Sequence, residues 1–233
     1  MANASSVVIL PHVIASPLYD VDRDFAPVFV MGSVPAILIT PASTTATSVA
    51  ELIAGFKAKG GKINYGSSSV GGAMHLSGEN FRQAAGLDME HIAYKGGAPA
   101  INAVITGEVP MSFESLPAAM PFIKSGQLKV LGVSAPKRHP TLPYVPTMIE
   151  QGFPGFDLGS WYAIWAPAKT PATILERLNA ELVAIARHPD TKARFESLGT
   201  DIETLSVEEF RMFSKKEFDR WGVIARKAGV RIE

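Results

Sequence analysis

A glycine- and serine-rich loop, residues 66–72, carries the residue types best suited to hold an anion. It follows a short strand-like run and precedes a helix-compatible segment. Glycines let the backbone approach a ligand closely, hydroxyl groups donate hydrogen bonds, and a helix N-terminus presents free N–H groups. An ordinary strand-to-helix connection is the alternative. We predict that the loop binds one ligand carboxylate, directly or through water, with Ser67, Ser68, Ser69, Gly71 and Gly72.

A second loop, residues 94–99, repeats this layout with a strand end, two glycines and a proline suited to a first helical turn. Its lysine supplies a cation. Ligands of open α/β folds gather outside the carboxyl ends of strands, so we expect both loops in one sheet. A solvated lysine beside a tight turn is the alternative here. The predicted ligand-binding residues of this loop are Tyr94, Lys95, Gly96 and Gly97.

The first loop lacks a complete enzyme motif. Its glycines Gly66 and Gly71 have the spacing of a P-loop, but Gly72 stands where that motif needs lysine. The nucleophile elbow Gly-x-Ser-x-Gly is broken by Val70 in one frame and by Ser67 in the other. The five histidines are scattered without metal-ligand spacing. We predict no catalytic residue, metal or cofactor. An α/β hydrolase-like enzyme acting on a small carboxylic ester stays open as the alternative function.

The composition is that of a globular protein with a substantial core. The chain has 233 residues, of which 47% are hydrophobic and 19% charged. Its 22 basic and 22 acidic residues give a net charge of zero, which argues against a nucleic-acid partner. The absence of cysteine excludes disulfides and thiolate metal sites. No apolar run approaches the roughly 20 residues that a membrane-spanning helix needs.

Strand-like runs alternate with helical segments through the middle of the chain. This spacing predicts a largely parallel sheet with helices on both faces. A capping box formed by Ser48 and Glu51 marks the first helix. The predicted strands are Ile63–Tyr65, His91–Tyr94, Met111–Phe113 and Leu128–Val133.

The flanking regions have different patterns. The apolar run at residues 36–39 lies between Pro35 and Pro41, which predicts an extended connector or an edge strand. The C-terminal region is predicted to be mostly helical, with a second capping box at Ser206 and Glu209. In its first helix, the residues expected to share one apolar face are Ile174, Leu178, Leu182 and Ile185.

Short motifs spread in order over nearly all 233 residues carry a family resemblance. They include Leu-Tyr-Asp at 18–20, His-Ile-Ala-Tyr-Lys-Gly-Gly at 91–97, Thr-Gly-Glu-Val at 106–109, Gly-Gln-Leu-Lys-Val-Leu at 126–131 and Val-Pro-Thr at 145–147. In their order and spacing they resemble the Bug family. These proteins are the solute-binding receptors of tripartite tricarboxylate transporters.

The resemblance implies an α/β, two-lobed periplasmic-binding-protein-like fold with a ligand cleft between lobes that close about a hinge. Residues 1–39 and 159–233 would form lobe 1, and residues 40–158 lobe 2. The implied function is capture of a small organic carboxylate, a di- or tricarboxylate or a related acid, without catalysis. Implied partners are this ligand and the membrane subunits of a transporter, and the implied location is the periplasm.

The resemblance also adds residues to the predicted ligand site and raises a question about lobe 1. Members of the family begin with an export signal and further strands of the first lobe. This chain shows no signal peptide, and its Asn-Ala-Ser-Ser at residues 3–6 resembles a later first-lobe loop that faces the ligand. We therefore expect lobe 1 to be incomplete at its N-terminus. The added ligand-binding residues are His75, Phe113, Trp161, Asn3 and Ser5.

Overall fold

The computed structural model describes residues 1–232, which form a mixed α/β structure. The chain divides into two compact units. Unit 1 contains Met1–Val34 and Ser160–Glu233, and unit 2 contains Pro35–Gly159. Within the described residues, no helix combines the length and the apolar character that crossing a membrane requires.

Strands and helices alternate along most of the described chain. The strands are β1 (Ala2–Asn3), β2 (Phe25–Pro41), β3 (Ile63–Ser67), β4 (Met89–Ala93), β5 (Ser112–Ser115), β6 (Leu128–Ser134) and β7 (Gly159–Pro167). The helices are α1 (Leu10–Val13), α2 (Val21–Asp24), α3 (Val49–Lys59), α4 (Ala73–Ala85), α5 (Gly97–Ile105), α6 (Leu116–Lys124), α7 (Ala172–Arg187), α8 (Pro189–Ser197) and α9 (Val207–Ala228). A π-helical turn, Ser5–Ile9, leads directly into α1.

The sheet of unit 2 has the strand order β6-β2-β5-β3-β4. Strand β3 pairs in parallel with β4 and β5, as the strand–helix alternation predicts. Strand β2 is antiparallel to β5 and β6. The expectation of an edge strand at residues 36–39 is wrong, since these residues pair on both sides. Because Pro35 precedes the paired residues and Pro41 ends them, neither proline removes a donor from the middle of the ladder.

Strands β2 and β5 of unit 2 are buried on both faces. Ile37 and Ile39 of β2 belong to one apolar cluster, which includes residues of α5 and α6. On β5, the ring of Phe113 packs between Phe81 and Phe156, each with a centroid distance of 5.7 Å. Strands of a sheet covered on both faces are mostly apolar, so the buried Ser112 and Glu114 of β5 are exceptions.

Unit 1 is mainly helical, and α9 has the predicted capping box at Ser206 and Glu209. The predicted apolar face of α7 is wrong. Ile174 and Ile185 are 47% and 58% exposed, whereas Leu175 and Ala186 are buried. The helix carries two apolar rows, and the row containing Leu175 and Ala186 packs against the β2 residues of unit 1.

We predict opposite stability changes for alanine at two helical glycines of unit 2. A Cβ at Gly78 in α4 would lie 2.0 Å from a ring carbon of Tyr65, whose buried ring is held by its hydroxyl bond to Glu79. Gly78→Ala should therefore lower the free energy of unfolding by about 1–3 kcal/mol in urea denaturation.

Gly55 in α3 is the matched control, because a Cβ there meets no atom within 4 Å. Gly55→Ala should raise the free energy of unfolding by about 0.4–1 kcal/mol, since alanine restricts the unfolded chain. Equal stability of the two variants would contradict the packing of α4 against β3.

Candidate functional site

The two predicted loops meet at the carboxyl ends of β3 and β4. The Tyr94 N–H donates to the Ser67 carbonyl oxygen at 3.0 Å, and the Gly96 N–H donates to the Ser68 carbonyl oxygen at 3.0 Å. These bonds continue the parallel pairing of the strands beyond their ends. Each loop is therefore fixed by the backbone of the other.

Ser67 holds the first loop from inside. Its side chain is fully buried, and its Oγ lies 3.0 Å from the Ser69 carbonyl oxygen and 2.7 Å from His91 Nε2. A hydroxyl has one proton, so when Ser67 donates to Ser69 it accepts from the His91 N–H. Ser68 is half-buried and Ser69 is exposed. Among residues 1–232, neither of these two hydroxyls is held by a hydrogen bond, so both remain available to a ligand.

Gly71 makes the turn into α4. Its φ of 69° lies in the left-handed region, which favours glycine. Its N–H donates to His75 Nδ1 at 2.9 Å, so this N–H is not free for a ligand. We therefore correct its predicted role from donor to turn residue. Gly72, the N-cap of α4, has no side chain to cap the helix.

His75 and His91 form a stacked pair beneath the loop, with ring centroids 3.7 Å apart and an interplanar angle of 14°. Burial lowers the pKa of each to about 4, so both are neutral at pH 7. His75 is 6% exposed and accepts from Gly71, as a neutral imidazole does. This geometry makes His75 a support for the loop, whereas the sequence predicted a ligand contact.

Tyr65 extends the support beneath the first loop. Its hydroxyl donates to Glu79 Oε1 at 2.7 Å, and Glu79 pairs with Arg82 at 2.8 Å. The Tyr65 ring centroid lies 5.2 Å from that of His91. A buried polar network in which each group has a partner fixes its members in place.

The second loop offers a cation and a helix N-terminus. Lys95 is exposed and makes no ion pair within residues 1–232. Gly96, with a φ of 108°, is the N-cap of α5, and Gly97 is its first residue. The Tyr94 hydroxyl donates to Glu108 at 2.8 Å, and burial, with a smaller effect of Glu108, raises its pKa to about 12. The helices α4 and α5 thus both begin at this sheet edge with glycine N-caps.

Strand β5 ends at the same edge, because β5 is parallel to β3. The sequence places Phe113 in the ligand site, but its ring is fully buried in the aromatic core of unit 2. Glu114, which sequence reasoning left outside the site, is 1% exposed. Its Oε2 lies 3.3 Å from the position of a Cβ on Gly97. The signal for Glu114 in the sequence is an acidic residue at the end of an apolar strand.

The three predicted site residues of unit 1 lie at its N-terminal strand and at β7. Asn3 pairs with Tyr162 of β7, and its Oδ1 accepts from the Ser6 N–H at 3.0 Å. Ser5 is half-buried in the following π-helical turn. Trp161 is 2% exposed and packs edge-on against Phe213 at 5.5 Å. Among the described residues, no group of three or more His, Asp or Glu side chains has a metal-binding arrangement.

Comparisons with known proteins give one consistent family. The model of the tripartite tricarboxylate transporter family receptor matches residues 1–230. A UPF0065 protein of Pseudomonas sp. strain P51 is 32% identical over 204 residues, which cover 87% of this chain and 61% of that protein. Protein BugT of Bordetella pertussis is 31% identical over 215 residues, covering 92% and 66%.

Solved structures show the same relationship. A protein of R. palustris solved with adipate is 30% identical, with a TM-score of 0.92 over 99% of this chain and 77% of that one. The periplasmic binding protein BugD is also 30% identical, with a TM-score of 0.87 over 99% and 78%. The α/β fold is therefore that of periplasmic binding proteins, as the resemblance implies.

The chain spans about three fifths to two thirds of the length of the two curated relatives. Its family is one of receptors, which gives no support to the hydrolase alternative. From the match over residues 1–230, the chain belongs to the tripartite tricarboxylate transporter receptor family.

Proposed function

We propose that this chain is an extracytoplasmic solute-binding protein that captures a small organic carboxylate in the periplasm for the membrane subunits of a tripartite tricarboxylate transporter. One observation carries the proposal. Two helices with glycine N-caps, α4 and α5, begin at one sheet edge beside the unpaired cation of Lys95. The adipate bound to the R. palustris protein supports a dicarboxylate as the ligand class.

Each group at this edge has a distinct role toward an anion. Helix N-termini attract negative charge through their partial positive charge and their N–H groups, by about 0.3–1 kcal/mol each at exposed sites. The hydroxyls of Ser68 and Ser69 donate hydrogen bonds, and Lys95 adds a full charge. Gly96 leaves the backbone open to close approach by the ligand, because a Cβ there would meet no atom within 4 Å.

The two compact units correspond, in this proposal, to the two predicted lobes. Unit 2 supplies the two loops of the proposed site. Tyr94 and Gly97 shape the second loop, while Ser67, His75 and Phe113 support the site from within unit 2.

Binding of adipate by the full chain tests this function. We expect adipate to raise the melting temperature, because a ligand that binds only the folded state at 100 times its Kd stabilises it by about 2.7 kcal/mol. The uncharged 1,6-hexanediol, which has the same carbon chain length, should have no effect. If neither adipate nor any other di- or tricarboxylate of a panel shifts the melting temperature or gives heat in calorimetry, the proposed function is wrong.

Alanine substitutions at two serines of the first loop should have different effects, one on ligand affinity and the other on the stability of the fold. Ser69→Ala removes an exposed hydroxyl without an internal partner, so we expect adipate affinity to fall by about 1 kcal/mol with unchanged stability. Ser67→Ala removes a buried hydroxyl that bonds Ser69 and His91, so we expect a loss of about 1–3 kcal/mol in unfolding free energy. Calorimetry and urea denaturation measure the two effects. The reverse pattern would contradict this assignment of the two hydroxyls.

Lys95→Gln should weaken adipate binding roughly fivefold, because it removes one exposed charge next to the ligand. Lys59→Gln is the control, since Lys59 is an exposed lysine at the end of α3 in the same unit. The difference between the two variants should shrink as salt is added, because exposed charges are screened. Equal affinities of the two variants at low salt would remove Lys95 from the site.

A further inference from the structure

Glu114 lies directly beneath the start of α5. It is the third residue of β5 and pairs in register with Ile37 of β2. Its Oε2 is 3.3 Å from the position that a Cβ on Gly97 would occupy, and the same position lies 3.7 Å from Ala118 of α6. The carboxyl group is therefore enclosed by β2, α5 and α6, under the helix N-terminus that the proposed function assigns to the anion.

Among the described residues, no cationic side chain pairs with Glu114. Helix α4, which carries Arg82, packs on the opposite face of β5 through the contact of Phe81 with Phe113. Strand β2 and helix α5 contain no Asp, Glu, Lys, Arg or His, and the only charged residue of α6 is Lys124 at its far end. Lys95, in the loop before α5, is exposed and forms no ion pair within residues 1–232. A buried carboxylate without a cation is costly, so this environment favours the neutral acid.

The geometry of Ser112 favours the same protonation state. The Ser112 hydroxyl donates to the Gly66 carbonyl oxygen at 2.7 Å, which uses its single proton. Its Oγ also lies 3.3 Å from Glu114 Oε1. Because the Ser112 proton is bonded to Gly66, a protonated Glu114 can donate to the Ser112 Oγ. An ionised Glu114 would face the lone pairs of that Oγ, which repel a carboxylate.

We propose that Glu114 is a neutral carboxylic acid in the folded protein at pH 7, and that its proton sets the affinity of the site at α5 for anions. This inference rests on the proposed function. An ionised carboxyl beneath Gly97 would cancel the partial positive charge of the helix N-terminus and repel a bound carboxylate. The neutral acid leaves that charge available to the ligand. Glu114 thus controls the anion affinity of the site although its own side chain is buried.

The direction of the pH effect follows from burial. Burial raises the pKa of Glu114 to about 8. Anion affinity is then highest below this value and falls above it as the proton is lost. In the ligand-free protein, stability falls as the pH rises from about 4.5 to about 8, because only the unfolded chain releases the proton in that interval.

Calorimetry with adipate on the full chain tests the effect on binding. For the wild-type protein, we expect affinity to fall roughly 30-fold between pH 6.5 and pH 9.5. This is the largest fall that the ionisation of Glu114 can cause, and it applies if the ligand binds only the protein in which Glu114 is protonated. Glu114→Gln keeps the shape and neutrality of the acid, so its affinity should match wild type at pH 6.5 and stay constant to pH 9.5. Glu90→Gln is the control, since the exposed Glu90 pairs with Lys62 on the same sheet, and this variant should keep the wild-type profile.

A ¹³C NMR titration of the side-chain carboxyl groups tests protonation without ligand or variant. We expect the Glu114 signal to titrate near pH 8. A Glu114 midpoint between 4 and 5, or a Glu114→Gln protein whose affinity still falls above pH 8, overturns the inference. If no di- or tricarboxylate of the panel binds the wild type or either variant, the proposed function and the control of affinity by Glu114 are both overturned. The titration still decides the charge of Glu114.

Discussion

The parallel pairing of β3 with β4 is the constraint on which the site depends. It continues past the strand ends, where the amides of Tyr94 and Gly96 donate to the carbonyl groups of Ser67 and Ser68. Two loops that are far apart in sequence are thereby held side by side. The helices that follow them must then begin at the same edge, since each helix starts within a few residues of its strand. The sheet therefore places two positive helix ends together before any side chain contributes.

The side chains beneath this edge keep the first loop in one shape. Ser67 and His75 are buried and His91 is half-buried, and their polar atoms bond one another or the loop backbone. Because burial lowers the pKa of both histidines, the pair stays neutral and does not repel itself at pH 7. The left-handed Gly71 then closes the turn. Rigidity of this kind lowers the ordering cost that a ligand would otherwise have to offset on binding.

Local signals in the sequence predicted much of this arrangement, and long-range packing explains where they failed. The caps at Ser48 and Ser206 depend on neighbours three residues away, so the sequence predicts both helix starts. The central position of β2 depends on which strands flank it, and two prolines suggested an edge instead. Likewise, α7 has two apolar rows, and only the packing of unit 1 selects the row of Leu175.

The candidate site was predictable to the same extent. Gly-Ser loops at strand ends indicate anion binding by composition, but the partner of each donor is set in three dimensions. Nothing in the sequence around Gly71 indicates that its N–H belongs to His75, because both residues have types typical of a ligand contact. The aromatic Phe113 was misplaced for a similar reason. Alternation along a four-residue strand does not tell which face meets a ligand when both faces are buried.

In the proposed function, recognition depends on backbone groups, and this fits the tolerance of the fold to sequence change. The R. palustris relative shares 30% of its residues with this chain, yet the two superimpose with a TM-score of 0.92. Helix N-termini and loop amides persist through such divergence, because they depend on the path of the chain more than on side-chain identity. The ionisable side chains beside them in this chain are Lys95 and Glu114. If the backbone supplies a general affinity for carboxylates, the charge at these two positions decides which acid is bound and at what pH.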